Sequence, residues 1–350
     1  MSNKKLIILD GISGVPLAKE MHQAFRNVGI NAIYADFKSF KQKRFYELRS
    51  AYRKVLNKRE NVDSFYHFPK VDEAHFEAYI REESPTTILV IGFTYKYLNP
   101  KFLERIKHQY NISIYLYDTD SCNLYAKRRE FVFFLENELP VYDEIFSFSK
   151  VTTNFFNNTR NIKATFFPFG AVKLDSTANL HPSKDVLFVG SCDLRRIFLL
   201  ESVKDKVSIY GDRWRRNTPL ISKELMDNVA DNSVWGENLY QLLYDSKIVL
   251  NITRSHFYGA ETGVNLRIFE ALSAGCFLLT DYCEEISELF IVGEEIEVFR
   301  DAKELKEKVN FYLSHPEERT RIARRGHERF LKEYTWDSRV MELGELCLLK

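Results

Sequence analysis

Short apolar runs alternate with longer stretches of helical period along this chain, and the alternation stops once and then starts again. The first set of runs is Leu6–Asp10, Asn31–Asp36, Thr87–Ile91, Ile112–Tyr117, Glu144–Phe148 and Ala164–Phe167. The second set is Asp185–Val189, Val207–Tyr210, Ile248–Asn251, Cys276–Thr280 and Ile296–Phe299. Such alternation is typical of parallel sheets covered by helices. The sequence therefore predicts an α/β protein made of two consecutive Rossmann-like domains.

The polar stretch Lys173–Lys184, which contains Pro182, separates the two sets of runs and has the character of a linker. We therefore expect an N-terminal domain over 1–172, a linker over 173–184 and a C-terminal domain over 185–334. A length of 350 residues agrees with two domains, because a single core seldom serves so long a chain. The closing helix, over 335–350, is expected to cross back to the N-terminal domain.

The composition argues against nucleic acid and metal ions as partners. Lys and Arg number 50 against 49 Asp and Glu, which gives a net charge of +1 and no global field for holding nucleic acid. The five cysteines are scattered, with no Cys-x-x-Cys pair, and are expected to be reduced thiols rather than metal ligands. The first apolar run is too brief for a signal peptide, and 18 apolar residues never run together. We therefore expect a cytoplasmic protein.

In an open parallel sheet, ligands bind beyond the carboxyl ends of the strands. Four strand ends of the second half carry small residues and cations, namely Gly190, Ser191, Arg195, Arg196, Tyr210, Gly211 and Arg254, with Asp281 at the fourth end. Glycine and serine let backbone amides approach an anion that an arginine neutralises. A single Gly-Ser turn is more often a plain connection, so the predicted anion site rests on the convergence of the four ends.

The most informative segment is Gly263–Asp281. Leu266 and Phe269 recur at helical spacing and are expected to face the core, while Arg267 and Glu270 lie near the helix start. A carboxylate in that place suits the two hydroxyls of a ribose, and an arginine suits a diphosphate. The alternative is an i,i+3 ion pair on the surface, worth only about 0.2–0.5 kcal/mol.

The motif order of the second half resembles the C-terminal region of group-1-type glycosyltransferases, and is most similar to their CgeB-like, or spore-maturation-protein, branch. The resemblance rests on Gly263–Asp281, Val292–Asp301, His315–Arg319 and Arg325–Gly326, and it covers roughly 185–348. It implies the GT-B fold, in which two Rossmann-like domains face each other across a cleft. It also implies a nucleoside-diphospho-sugar in the C-terminal domain as a co-substrate, with no cofactor and no metal.

The resemblance also assigns roles. The carboxylate matching Glu270 typically binds the nucleotide ribose in these enzymes. The backbone at Gly190 and Ser191, the side chain of Arg254 and the helix start at Asn265, Leu266 and Arg267 would hold the diphosphate. The larger group often has a second glutamate eight positions before the first. Here that position is Thr262, with Glu261 one residue away, which leaves the role of Glu261 at the sugar and the stereochemistry of transfer open.

Two motifs of the first half offer competing interpretations. Asp118-Thr119-Asp120 follows an apolar run and matches the metal-binding Asp-x-Asp of the GT-A fold. In the GT-B interpretation, Asp118 instead lines the cleft and is the catalytic candidate on the acceptor side. Ser13 and Gly14 would touch acceptor or sugar there, and their loop lacks the Gly-x-Gly-x-x-Gly spacing of NAD-binding proteins.

The segment Lys38–Arg59 is rich in Lys and Arg, with aromatic residues interleaved. It is interpreted either as a peripheral contact with an anionic membrane, at its inner face, or as a holder of an anionic acceptor. The remaining alternative is a solvated helix face with aromatic side chains docked inward.

The expected reaction is transfer of a sugar from a nucleoside-diphosphate-sugar to a hydroxyl of a glycan, a lipid-linked glycan or a protein. Arg195, Arg254 and Arg267 would stabilise the charge that develops on the leaving diphosphate, without a metal. Two alternatives use the same donor residues: a nucleotide-sugar epimerase of the GT-B fold, and a non-catalytic protein that binds sugar nucleotides.

Overall fold

The computed structural model of the chain describes residues 5–59, 65–120, 127–175 and 182–348. It divides into two compact units. The first runs from the N-terminus to Pro168 and includes the C-terminal residues from Val340 onward, and the second is Phe169–Arg339. Part of the expected linker, 176–181, lies outside the described residues.

The first unit is built on a six-stranded parallel sheet in the order β2-β1-β3-β4-β5-β6. Its strands are β1 (Leu6–Asp10), β2 (Ala32–Asp36), β3 (Thr87–Ile91), β4 (Ser113–Asp118), β5 (Glu144–Ser147) and β6 (Ala164–Phe166). Every residue of β1 and β3 is buried. Because helices cover both faces of a parallel sheet, its strands are unbroken apolar runs rather than alternating ones.

The helices of this unit are α1 (Leu17–Asn27), α2 (Tyr46–Arg59), α3 (Glu73–Glu83), α4 (Pro100–Tyr110), α5 (Arg128–Phe133) and α6 (Lys150–Arg160). Local sequence sets their ends. The helix α4 starts after Asn99, whose side chain accepts a hydrogen bond from the Lys101 amide at 3.0 Å. It ends at Asn111, which is left-handed with φ of 50°, a conformation that asparagine tolerates better than most residues.

A buried carboxylate, that of Glu138, fixes the loop that leaves β3. It accepts hydrogen bonds from the amides of Thr94 and Tyr95 and from the hydroxyl of Tyr142, each at 2.6 Å. Burial nevertheless outweighs these donors and raises the pKa of Glu138 to about 7. Between the ordinary pKa and the raised one, Glu138 is therefore protonated in the folded protein and ionised in the unfolded chain.

This raised pKa predicts a stability that falls as pH rises. The folded state holds a proton that the unfolded state releases between its ordinary value of 4.5 and about 7, so the free energy of unfolding falls across that range. Between about pH 5.5 and pH 7 we expect the free energy of unfolding to fall by about 2 kcal/mol in the wild type and not in Glu138→Gln. Urea denaturation at both pH values measures it, and Glu136→Gln, an exposed neighbour, is the control. A Glu138→Gln protein with the wild-type pH slope would contradict the assignment.

The second unit is built on a five-stranded parallel sheet in the order β11-β10-β9-β7-β8. Its strands are β7 (Lys184–Val189), β8 (Val207–Tyr210), β9 (Ser246–Asn251), β10 (Leu278–Asp281) and β11 (Glu297–Phe299). Its helices are α7 (Leu194–Glu201), α8 (Lys223–Asp227), α9 (Gly236–Tyr244), α10 (Ser255–Gly259), α11 (Leu266–Ser273), α12 (Glu284–Leu289), α13 (Ala302–Ser314) and α14 (Pro316–Glu333), and α15 (Trp336–Leu348) runs past its end.

The prediction of two parallel-sheet α/β domains is confirmed. The strand β10 starts two residues later than its apolar run, because the Cys276 amide donates to the Ala271 carbonyl at 3.1 Å and closes α11. No helix among the described residues has both the length and the apolar character needed to span a bilayer.

Candidate functional site

The carboxyl ends of β7 and β8 touch in the second unit. The Gly190 amide donates to the Tyr210 carbonyl at 2.8 Å, directly before Gly211. Gly211 has φ of +146°, and a Cβ placed there would lie 2.0 Å from the Gly190 carbonyl oxygen. Only glycine combines this φ with such a close approach. The structure thus brings Gly190, Tyr210 and Gly211 together at one edge of the sheet.

The buried side chain of Arg196 links the residues that follow β7 to those that follow β9. Its guanidinium donates to the carbonyl of Ser191 at 2.7 Å and twice to that of Ile252, at 2.9 and 2.7 Å. Burial lowers its pKa to about 10. Asp193 begins α7 and accepts from the amides of Arg196 at 3.0 Å and Ser255 at 3.1 Å. Of the two arginines offered for the anion, Arg196 is therefore a structural one, with its donors used inside the fold.

Arg195 is half-buried and partly neutralised. Its Nη1 lies 2.6 Å from Asp281 Oδ2 and donates to the Thr253 carbonyl at 3.0 Å. The guanidinium also lies 3.5 Å from the ring centroid of Tyr258, within cation–π range. Asp281 is buried and accepts from the Thr253 amide and hydroxyl at 3.0 and 2.9 Å. Arg195 consequently links the segments that follow β7 and β9 to the last residue of β10. Because Asp281 partly neutralises it, less of its positive charge is left for a ligand than the sequence analysis assumed.

Arg254, in contrast, is exposed where β9 passes into α10. It forms no ion pair with any residue that the structure describes. Its positive charge contributes to lowering the pKa of the neighbouring His256, after burial. At this edge of the sheet, Arg254 is thus an exposed cation that can contact a ligand.

Arg267 and Glu270 form a buried pair at the start of α11. Arg267 Nη1 lies 2.7 Å from Glu270 Oε2, and the two side chains are 11% and 4% exposed. The angles are nevertheless unsuitable for a hydrogen bond, so Arg267 Nε and Nη1 and Glu270 Oε2 are buried without a hydrogen-bond partner among the described residues. Burial raises the pKa of Glu270, and the nearby Arg267 opposes that rise. The alternative of a surface ion pair is therefore wrong.

The environment of this pair follows from the burial of α11. Phe269 is fully buried, as its spacing predicted, whereas Leu266 is only half-buried. From Ile268 to Ser273 every residue is buried, including the polar ones. The Asn265 side chain caps the helix by accepting from the Arg267 amide at 3.1 Å. Buried polar atoms without partners are rare and costly in native folds, which makes this the place where a ligand would supply the missing partners.

Glu261 and Thr262, at the place of the second glutamate, lie in the loop between α10 and α11. Glu261 is exposed and left-handed with φ of 58°. The neighbouring Thr262 is fully buried and donates to Glu285 Oε2 at 2.7 Å. Glu285, in the first turn of α12, is itself buried. Sequence reasoning missed this carboxylate, although its position just after the end of β10 was a usable signal.

In the first unit, Ser13 and Gly14 form a left-handed loop with φ of 48° and 103°. The Ser13 amide donates to Asp10 Oδ1 at 2.9 Å and its hydroxyl donates to Asp36 Oδ1 at 2.6 Å. Asp10 is buried at the end of β1 and also accepts from the Tyr34 hydroxyl at 2.8 Å. Asp10, which the sequence analysis did not single out, therefore sets the shape of the loop.

Asp118 is buried at the carboxyl end of β4. Its Oδ2 accepts from the Ser147 hydroxyl at 2.9 Å and its Oδ1 from the Asp120 amide at 3.2 Å. Both aspartates line a pocket of the first unit together with Phe93 and Lys96. Asp118 thus lies at a ligand-accessible strand end of its own domain.

Two parallel-sheet domains, with small residues and cations at the strand ends of the second, are the architecture of the GT-B glycosyltransferases. Sucrose-phosphate synthase of Thermosynechococcus elongatus is similar over 98% of both chains, with a TM-score of 0.68 and 12% identity. HepE of Anabaena, solved with UDP-glucose, is similar over 97% of this chain and 98% of its own, with a TM-score of 0.65 and 11% identity. A glycosyltransferase from Rickettsia africae has a TM-score of 0.63 and 11% identity over 98% of both chains.

Residues 195–345 match the model of the family described as glycosyl transferase-like. A search of curated protein sequences found no match. The family match supplies the activity and the structural matches supply the fold. The chain is therefore a glycosyltransferase of the GT-B fold, with its glycosyl-transferase-like domain in the C-terminal half.

Proposed function

We propose that this glycosyltransferase takes its sugar from a nucleoside-diphosphate-sugar bound at the carboxyl ends of β7, β8, β9 and β10. The observation that carries the proposal is the buried pair Arg267–Glu270, whose inward polar atoms lack hydrogen bonds. In the proposed complex, Glu270 accepts from the ribose hydroxyls and Arg267 donates to the diphosphate. The UDP-glucose bound to the similar HepE supports a sugar nucleotide as donor.

The diphosphate is proposed to lie between the backbone of Gly190 and Ser191, the side chain of Arg254 and the amides of Asn265 and Leu266. Arg254 supports this proposal because it is exposed and makes no ion pair with a described residue. As the bond to the sugar breaks, negative charge grows on the leaving diphosphate, and fixed cations stabilise it. This arrangement uses the cations of the chain itself, so we propose a metal-independent reaction without a cofactor.

The acceptor hydroxyl is proposed to meet the N-terminal domain at Ser13, Gly14 and Asp118. The carboxyl ends of β1 and β4 present these residues, and such ends are where open sheets bind ligands. Asp118 is the proposed carboxylate for the acceptor proton, and Glu261 is proposed to contact the transferred sugar. The order of motifs from Gly263 to Gly326 supports placing the enzyme in the CgeB-like branch.

The donor proposal is tested by thermal unfolding in the presence of UDP, GDP, TDP, CMP and the corresponding sugar nucleotides. A ligand that binds only the folded state raises the melting temperature by mass action. We expect a nucleoside diphosphate to do so. Release of free nucleoside diphosphate only with an acceptor supports transfer. A change of the sugar without acceptor would instead indicate an epimerase, and no turnover at all would indicate a binding protein.

We further propose that the segment 38–59 lies on an anionic membrane, at its inner face. The helix α2 exposes one apolar stripe, with Leu48, Tyr52 and Val55 at 72%, 67% and 46% exposure, next to Phe45 at 61%. Nine Lys and Arg against one Glu give the segment a charge of +8, so the rest of the chain carries −7 within the net +1. Apolar residues flanked by cations are typical of helices that lie in a membrane interface.

This stripe yields a membrane-binding prediction. Leu48→Ser with Tyr52→Ser is expected to weaken binding to phosphatidylglycerol-containing vesicles at least about tenfold, because two apolar side chains no longer leave water. Vesicle sedimentation measures it, with pure phosphatidylcholine vesicles and raised salt as further conditions. Leu220→Ser, at an exposed leucine of the second unit, is the control. Equal sedimentation of all three proteins would exclude the stripe as a contact.

A further inference from the structure

The face of α2 opposite the apolar stripe lines a pocket of about 300 Å³ within the first unit. The helix contributes Arg53 and Lys54, the segment Phe65–Phe68 forms one wall, and Lys96 and Lys127 close it from the other side. The pocket is separate from the proposed donor site, which belongs to the second unit.

The walls of this pocket are fixed by hydrogen bonds rather than by chance proximity. The Asn57 side chain donates to the Tyr66 carbonyl at 2.9 Å and accepts from the Tyr66 amide at 3.3 Å. Arg129 Nη1 donates to the Asn57 carbonyl at 2.5 Å. The segment that carries Tyr66 is therefore held against α2, and α5 is tied to the end of the same helix.

The pocket has more positive than negative charge. Arg53, Lys54, Lys96 and Lys127 line it with a single carboxylate, Glu130. Glu130 lies 3.5 Å from Lys96 Nζ and 3.6 Å from Lys127 Nζ. The two lysines already neutralise it, and Arg53 and Lys54 form no ion pair with the described residues.

Two further observations point to a missing anion. Arg53 Nε is buried and has no hydrogen-bond partner among the residues described, which is unfavourable for a charged donor unless a ligand completes it. Aromatic rings also surround the cations, with Tyr66 4.8 Å from the Arg53 guanidinium and Phe93 4.0 Å from Lys96 Nζ. Burial lowers the pKa of both Lys96 and His67. Partial removal of water makes attraction between these cations and an anion stronger than at the open surface.

We infer that this pocket binds a phosphate group carried by the acceptor. A phosphate presents several oxygens at once, which suits a planar guanidinium and flexible lysine ammonium groups converging from three sides. A carboxylate would satisfy fewer of them. The inference extends the proposed function by adding a site that recognises a phosphate of the acceptor. Its test does not depend on whether the donor site is assigned correctly.

The test is titration of inorganic phosphate at constant ionic strength, followed by hydrogen exchange of the segments 50–57, 65–68 and 263–270. Protection at 65–68 is expected, and Arg53→Gln with Lys54→Gln is expected to weaken that response about tenfold. The matched control, Arg44→Gln with Lys58→Gln, removes two exposed cations outside the pocket, one from just before α2 and one from α2 itself. It should change the response less than about twofold.

Equal weakening by both double variants would reduce the effect to general charge attraction and overturn the inference, as would protection at 65–68 that survives the pocket variant. Glu270→Ala should leave protection at 65–68 intact and alter only 263–270, which separates this site from the donor site. Lys54→Gln alone, at an exposed position, serves if the double variant does not fold. Glycerol phosphate and phosphatidylglycerol vesicles then distinguish a soluble phosphate ester from a lipid one.

Discussion

Replacing Glu270 by alanine is expected to lower the affinity for the nucleoside diphosphate about 100-fold and to destabilise the second unit by about 3 kcal/mol. The first effect follows from loss of two charge-assisted hydrogen bonds to the ribose, each worth about 1.5–3 kcal/mol before compensation. The second follows because Arg267, only 11% exposed, is left as a buried cation without its counter-charge, which typically costs about 3–5 kcal/mol.

Isothermal titration of the diphosphate and denaturant unfolding measure the two effects separately. Glu307→Gln, at an exposed carboxylate of α13, should change neither. The double replacement Arg267→Met with Glu270→Leu removes both charges, so it should recover stability while nucleotide binding remains lost. Equal affinities of the wild type and Glu270→Ala would remove Glu270 from the donor site.

Gly211→Ala is expected to destabilise the second unit by about 4 kcal/mol, from overlap and backbone strain together. Its Cβ would lie 2.0 Å from the Gly190 carbonyl oxygen at a φ of +146°. The exits of β7 and β8 would have to separate, and the Gly190–Ser191 backbone would shift with them. At about 2–4 °C per kcal/mol for a unit of this size, the melting temperature falls by about 10 °C.

The control for this prediction is Gly236→Ala. Gly236 also has a positive φ, of 58°, but no atom lies within 4 Å of an added Cβ. It should cost only the left-handed penalty of about 1–2 kcal/mol. Calorimetry of both variants separates overlap from backbone strain, and similar losses in the two would show that the β7 and β8 exits can move apart freely.

The fold was predictable because burial on both faces turns each strand of a parallel sheet into a continuous apolar run. Thr87–Ile91 and Val207–Tyr210 were predicted with the bounds that the structure has. The helix α11 illustrates the limit. Its spacing placed Phe269 in the core, but it did not indicate that Glu270 on another face is also buried, because a short helix covered on all sides has no period that marks its polar residues.

The site was predictable as a set of strand ends but not as a set of contacts. Arg195 was expected to carry free charge, and its pairing with Asp281 at 2.6 Å joins two residues that are 86 positions apart in sequence. The buried carboxylates Asp10 and Glu285 were missed for the same reason. The Tyr34 hydroxyl that donates to Asp10 and the Thr262 hydroxyl that donates to Glu285 lie 24 and 23 positions away in the sequence, so tertiary structure supplies them. The assigned roles of the site residues remain predictions for the experiments above.

The division of the chain between its two units bears on how the enzyme can be dissected. The second unit is one uninterrupted stretch from Phe169 to Arg339, whereas the first is completed by residues from Val340 onward. Gly344 packs so closely that an added Cβ would lie 2.8 Å from Ile30 Cδ1. A fragment that stops at Pro168 would lack Gly344 and would leave Ile30 uncovered. An N-terminal fragment that folds by itself therefore needs the residues from Val340 onward, joined to Pro168 by an engineered loop.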